Sequence, residues 1–97
     1  MDELRFVRDE AKATANLEKH GVSFEEAQAA FNDEFARLIP DPDHSDEEDR
    51  FLLLGLGSKL RLLIVCHCYR DGDVIRIISA RKANKPERLQ YERYRHA

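Results

Sequence analysis

The run Asp73-Val-Ile-Arg-Ile-Ile-Ser-Ala-Arg81 places two arginines, Arg76 and Arg81, on an apolar, β-branched stretch. A guanidinium presents a planar fork of donors that matches phosphate oxygens and stays charged at any working pH. Held on a rigid strand, it suits the stabilisation of charge building on a phosphoryl group. The plainer alternative is a sheet-edge arginine paired with a surface carboxylate. Five positions separate the two, so on a regular strand they face opposite sides and only one meets a substrate. Arg81, where the chain leaves the strand for the following helix, is the better placed for chemistry. Arg76 either binds phosphate or supports the fold.

Displacement at a phosphate ester without a metal also needs a base for the attacking hydroxyl and an acid for the leaving oxygen. His67 titrates near neutrality and is either such a carrier or a structural histidine beside Leu63, Val65 and Tyr69. Glu87 and Tyr91 stand four apart, so both project from one face of a terminal helix. Glu87 serves as a base or holds Arg81 or Arg88. Tyr91 orients phosphate, stacks on a base, shuttles a proton or packs. Arg61 and Arg70 flank the preceding strand and, with Lys82 and Arg88, complete the candidate contacts to substrate phosphates. His20, just before Gly21, reads as a helix-end histidine near the last carbonyls, and His44 as a surface residue. Cys66-His67-Cys68 offers soft ligands, but alternation sends His67 away from the thiols and no second ligand pair stands at zinc spacing. No metal and no cofactor is expected. The two cysteines share a face about 7 Å apart, a poor disulfide geometry, and read as reduced thiols of a cytoplasmic protein.

The elements that must position these groups follow from caps and periodicity. Leu4-Arg-Phe-Val is a weak opening strand. Asp9 caps a helix that stops at Gly21, and Ser23 opens a second with Glu26 at the capping-box position. Strands are expected over Phe35 to Ile39, Arg50 to Leu56, Leu60 to Tyr69 and Val74 to Ala80, the last two joined at the Asp71-Gly72 turn. A helix from about Asn84, with Pro86 in its first turn, closes the chain. The fold class is α+β: two N-terminal helices on a four-stranded, mainly antiparallel sheet, with a C-terminal helix.

Ninety-seven residues make one domain, 1–97, with one core and room for a shallow groove rather than a deep cofactor pocket. The net charge of -3 averages unlike halves. Residues 1–49 hold 5 Lys+Arg against 15 Asp+Glu, a balance of -10, while 50–97 hold 11 against 4, a balance of +7. A basic face that attracts an acidic partner follows. No leader and no apolar stretch approaching the roughly 20 residues of a membrane span is seen.

Asn16-Leu-Glu-Lys-His-Gly-Val-Ser-Phe-Glu-Glu-Ala27, then His44-Ser45 before Glu48 and Arg50, then Arg76-Ile-Ile-Ser-Ala-Arg81 with Glu87-Arg88 and Tyr91, together resemble the BrnT family, the toxin halves of type II toxin-antitoxin pairs. The resemblance spans nearly the whole chain. It implies a RelE-like ribonuclease fold, cleavage of messenger RNA that halts growth, and neutralisation by a small partner, BrnA, whose ribbon-helix-helix part binds operator DNA, in a hetero-oligomer with the toxin. The competing reading is a non-catalytic module whose basic face holds a protein or nucleic acid and acts as a transcriptional co-repressor.

Overall fold

A computed structural model describes residues 4–40 and 50–96. The acidic run 41–49, with His44 and its surface assignment, lies outside the described residues.

Strand β1 (Arg5–Val7) leads into helix α1 (Glu10–His20). Asp9 caps α1 by accepting from the N–H groups of Ala11 and Lys12 at 2.9 and 3.1 Å. The helix ends where Gly21 takes the left-handed φ of 69° and its N–H donates to the Leu17 carbonyl. Helix α2 (Phe24–Gln28) starts on the Ser23 hydroxyl and runs into a 3-10 turn, Ala29–Asn32. Strands β2 (Arg37–Ile39), β3 (Phe51–Leu56), β4 (Leu62–Arg70) and β5 (Val74–Lys82) follow, then helix α3 (Lys85–Arg95).

The sheet has five strands in the order β1-β5-β4-β3-β2. This corrects the expected four: the short opening segment pairs in parallel with β5, Phe6 opposite Ile75, while the other pairings are antiparallel. Phe6 earns that place by packing into the core beneath the helices. The turn before β4 is also longer than expected, because Leu60 adopts a φ of 61° and lies outside the strand.

One face of the sheet buries Leu53, Leu63, Val65, Ile75, Ile77 and Ala80 against Val22, Phe24, Ala27 and Ala30. Close approach there requires Gly55, where a Cβ would stand 3.0 Å from the Ala30 carbonyl oxygen and 3.1 Å from the Ala36 Cβ. The opposite face carries a smaller cluster of Leu54, Ile64, Ala83 and Tyr91 beneath α3. Helix α3 thus covers one end of this second face.

Candidate active site

The decisive local feature is a β-bulge in β5. Cys66 pairs with Ser79 and His67 with Ile77, so one step along β4 spans two along β5, and Ile78 is the extra residue. The inserted residue reverses the alternation. Arg76 pairs with Cys68 and Arg81 with Ile64, and Ile64, Cys66 and Cys68 lie at alternate positions of the regular β4. Arg76 and Arg81 therefore share one face, the face that α3 leaves partly uncovered, although regular spacing predicted opposite sides.

Asn16 fixes the backbone just before Arg81. Its side-chain amide donates to the Ala80 and Val22 carbonyls at 2.8 and 2.9 Å, and its oxygen accepts from the Ala80 N–H at 3.0 Å. Asn16 is buried, so these bonds form away from water, where an unmet partner is costly. The residue was missed as a positioning group, though a polar asparagine in the middle of an alanine-rich helix, where it is a poor helix former, is a legible signal.

Past the strand, Asn84 and Glu87 form a reciprocal capping box that starts α3, with bonds of 2.9 and 2.8 Å. The same Glu87 carboxylate receives the end of the Arg81 guanidinium, Nη1 to Oε1 at 2.8 Å and Nη2 to Oε2 at 2.9 Å. This bidentate bond holds the Glu87 carboxyl below the usual carboxylate range, and raises Arg81. Arg81 Nη1 also donates to the Lys82 carbonyl at 3.3 Å. A guanidinium has five N–H donors. Three are thus engaged, and the Nε–H and outer Nη2–H, which share the side edge of the plane, remain without a partner among the described residues. That edge belongs to a side chain that is 40% exposed. It is a second fork, free to grip two phosphate oxygens.

The other candidates divide. Arg70 and Arg76 lie on the Arg81 face, Arg70 at the far end of β4. Lys82 pairs with Leu63 and so points to the helix-covered side. Arg61 is held away from the site: it makes a bidentate pair with Glu26, at 2.9 and 2.6 Å, and donates to the Gly21 carbonyl. Glu26 therefore fills no capping box, and its buried carboxylate is neutralised by Arg61 instead. Arg88 donates to the Ala83 carbonyl at 2.9 Å, closing the turn into α3.

His67 lies on the opposite face from Arg81. It is fully buried, with Phe31, Phe51 and Tyr69 around its ring, Nδ1 3.1 Å from the Val65 carbonyl, and Nε2 without a partner. Burial lowers its pKa below the ordinary 6.5. Tyr91 lies one helical turn beyond Glu87 but is buried, and its hydroxyl donates to Asp33 Oδ2 at 2.7 Å. Desolvation, reinforced by that carboxylate, leaves its pKa pushed up to about 12. Burial alone would raise Asp33, but bonds from Tyr91 and from the Phe35 and Leu56 N–H groups outweigh it and lower its pKa. Neither His67 nor Tyr91 is brought to the Arg81 edge. Asp33, the residue that seats Tyr91, was not singled out because its partners lie far off in sequence. Among the described residues no cluster of three or more His, Cys, Asp or Glu is placed to hold a metal, and Cys66 and Cys68 form no disulfide.

The family described as "Ribonuclease toxin, BrnT, of type II toxin-antitoxin system" matches residues 9–87, from the cap of α1 to the carboxylate that holds Arg81. This chain belongs to that family. The crystal structure of the Brucella abortus ribonuclease toxin BrnT superposes with a TM-score of 0.66, at 25% identity, over 86% of this chain and all of that one. No relative among curated proteins matches. Membership in the BrnT family makes this a type II toxin, and places the Arg81–Glu87 pair within the matched region. No helix among the described residues is long and apolar enough to cross a membrane.

Proposed function

We propose that the protein is a metal-independent endoribonuclease of RelE-like fold, acting in the cytoplasm, where cleavage of RNA inhibits translation and growth. The observation that carries this reading is the open side edge of Arg81, aimed from a backbone that Asn16 and Glu87 fix on two sides. In the reaction, the 2′-oxygen attacks the neighbouring phosphorus and the bond to the 5′-oxygen breaks, leaving a cyclic phosphate and a 5′-hydroxyl. Arg81 neutralises the charge that gathers on the non-bridging oxygens. Both Glu87 oxygens are engaged, so Glu87 acts as a positioning residue. Proton transfer at the 2′- and 5′-oxygens falls to water on the open face, because His67 is sealed beneath the helices and Tyr91 keeps its proton at neutral pH. A BrnA-like ribbon-helix-helix antitoxin neutralises the toxin by covering the basic face in a hetero-oligomer, and reaches operator DNA on the toxin's behalf.

One observation favours the alternative of a non-catalytic co-repressor: among the described residues, no imidazole is bonded to Arg81 or Glu87. Labelled RNA incubated with antitoxin-free protein, in one arm alone in excess EDTA and in the other with intact ribosomes in magnesium buffer, separates the two. Cleavage is expected, falling about 100- to 1,000-fold in an Arg81→Ala variant that melts normally, as when a charge-stabilising donor is removed. RNA that is bound but stays intact in both arms selects the co-repressor.

A further inference from the structure

At the far end of the same sheet face, a groove of about 310 Å³ is lined by Val7, Arg8, Asp9, Arg70 and Arg76. Its charges are not equivalent. Arg8 is committed to Glu10 at 3.1 Å and to Glu25 at 2.6 Å. Asp9 is committed to the first N–H groups of α1. Arg70 and Arg76 have no ion-pair partner among the described residues. Because Arg70 pairs with Val74 and Arg76 with Cys68, the two arginines are diagonal neighbours on one face, within reach of a common anion.

We propose that Arg70 and Arg76 form a second phosphate site that grips single-stranded RNA a few nucleotides away from the bond being cut. The inference rests on the ribonuclease reading and gives it a substrate geometry. Five positions with one bulge put Arg76 roughly 13–16 Å from Arg81 along β5, too far for one phosphate to touch both. Between the two cationic ends lie the paired Cys66 and Ser79 and the inserted Ile78, which is half-buried. Ser79 and the partly exposed Ile78 give sugars and bases a polar and an apolar surface to lie along. An extended strand can follow such a track, with backbone phosphates at both ends. A dinucleotide reaches only the Arg81 end.

The test compares a dinucleotide with an octanucleotide that carries the same single cleavable linkage, its other 2′ positions being deoxy. Wild-type protein is expected to cleave the octamer with the lower KM. Arg70→Ala/Arg76→Ala should raise the octamer KM by about tenfold per arginine lost, with a far smaller effect on the dinucleotide. The salt dependence of octamer binding should flatten by a slope of about 0.7 for each phosphate contact removed. Equal losses on both substrates, or a wild-type enzyme indifferent to length, would overturn the second site while leaving the ribonuclease standing. If wild-type protein cleaves neither RNA, the ribonuclease reading falls. The slope measured with an all-deoxy octamer then decides the site alone: an unchanged slope in the double variant rejects it.

Discussion

Arg81 shows how an ion pair and an open binding edge coexist on one side chain. A carboxylate on the end of the guanidinium fixes the plane and leaves the side edge to a ligand, a division of labour that an ammonium cannot reproduce. Arg81→Lys should therefore lose nearly as much cleavage as Arg81→Ala, which single-turnover rates on labelled RNA would show. His67 supplies the contrasting case. Its folded pKa lies below the unfolded 6.5, so below that pH unfolding takes up a proton. Its contribution to stability is complete above about pH 6.5 and declines as pH falls towards the folded value. His67→Leu should lose less melting temperature than wild type between about pH 7.5 and 5.5, and should cut RNA at the wild-type rate. A variant that melts normally but cannot cleave would return His67 to the chemistry.

At the scale of elements, the bulge decides which residues meet. Deleting Ile78 restores regular pairing and rotates either Arg76 or Arg81 to the helix side, so kcat/KM on long RNA should fall, through kcat if Arg81 turns away and through KM if Arg76 does, in a protein whose circular dichroism still reports strands. An unchanged kcat/KM on long RNA would show that the shared face is unnecessary. Asn16→Ala leaves the Ala80 N–H and C=O and the Val22 carbonyl without their partner, and each unsatisfied buried group costs about 1–3 kcal/mol; denaturant unfolding should register a drop of that order. The helix caps at Asp9 and Ser23 were legible in sequence because each depends on neighbours within three residues, and so were the Asp71-Gly72 turn and the start of the last helix near Asn84. The fifth strand was faint because three residues carry little periodicity. The bulge was not legible at all: Ile78 is an ordinary strand residue, and only the register against β4 reveals it as extra. For the same reason Arg81 and Glu87 could be named while their partnership stayed one option among several, and Arg61 was assigned to RNA although Glu26, 35 positions away, claims it.

Over the whole molecule, the sheet separates two jobs. One side is closed by α1 and α2 and carries the larger core; among the described residues, the other is covered by a helix at one end, α3. That helix is seated through Tyr91 on Asp33 and through the Arg37 guanidinium, 4.7 Å from the centre of the Tyr94 ring. Tyr91→Phe removes a hydrogen bond to a charged acceptor, worth about 1.5–3 kcal/mol. It should lower stability by that order while cleavage by the folded protein changes little; a collapse of cleavage without loss of stability would make the hydroxyl a participant in the reaction. Asp33 and Glu87 both titrate lower in the folded protein than their ordinary 3.8 and 4.5. Their contribution is present above those values and disappears as pH falls through the folded ones, so undocking of α3 is expected in acid.

The Asn16 amide has a consequence for solubility as well as for geometry. Strand β1 pairs with β5 only from Val74 to Arg76, and among the described residues no strand lies beside the rest of that outer margin. Exposed strand margins recruit other chains and seed aggregation. By offering a donor and an acceptor to Ala80, as a neighbouring strand would, Asn16 occupies the backbone that an intruding chain would need. One side chain on α1 thus keeps the strand that carries Arg81 from offering its open margin to other chains.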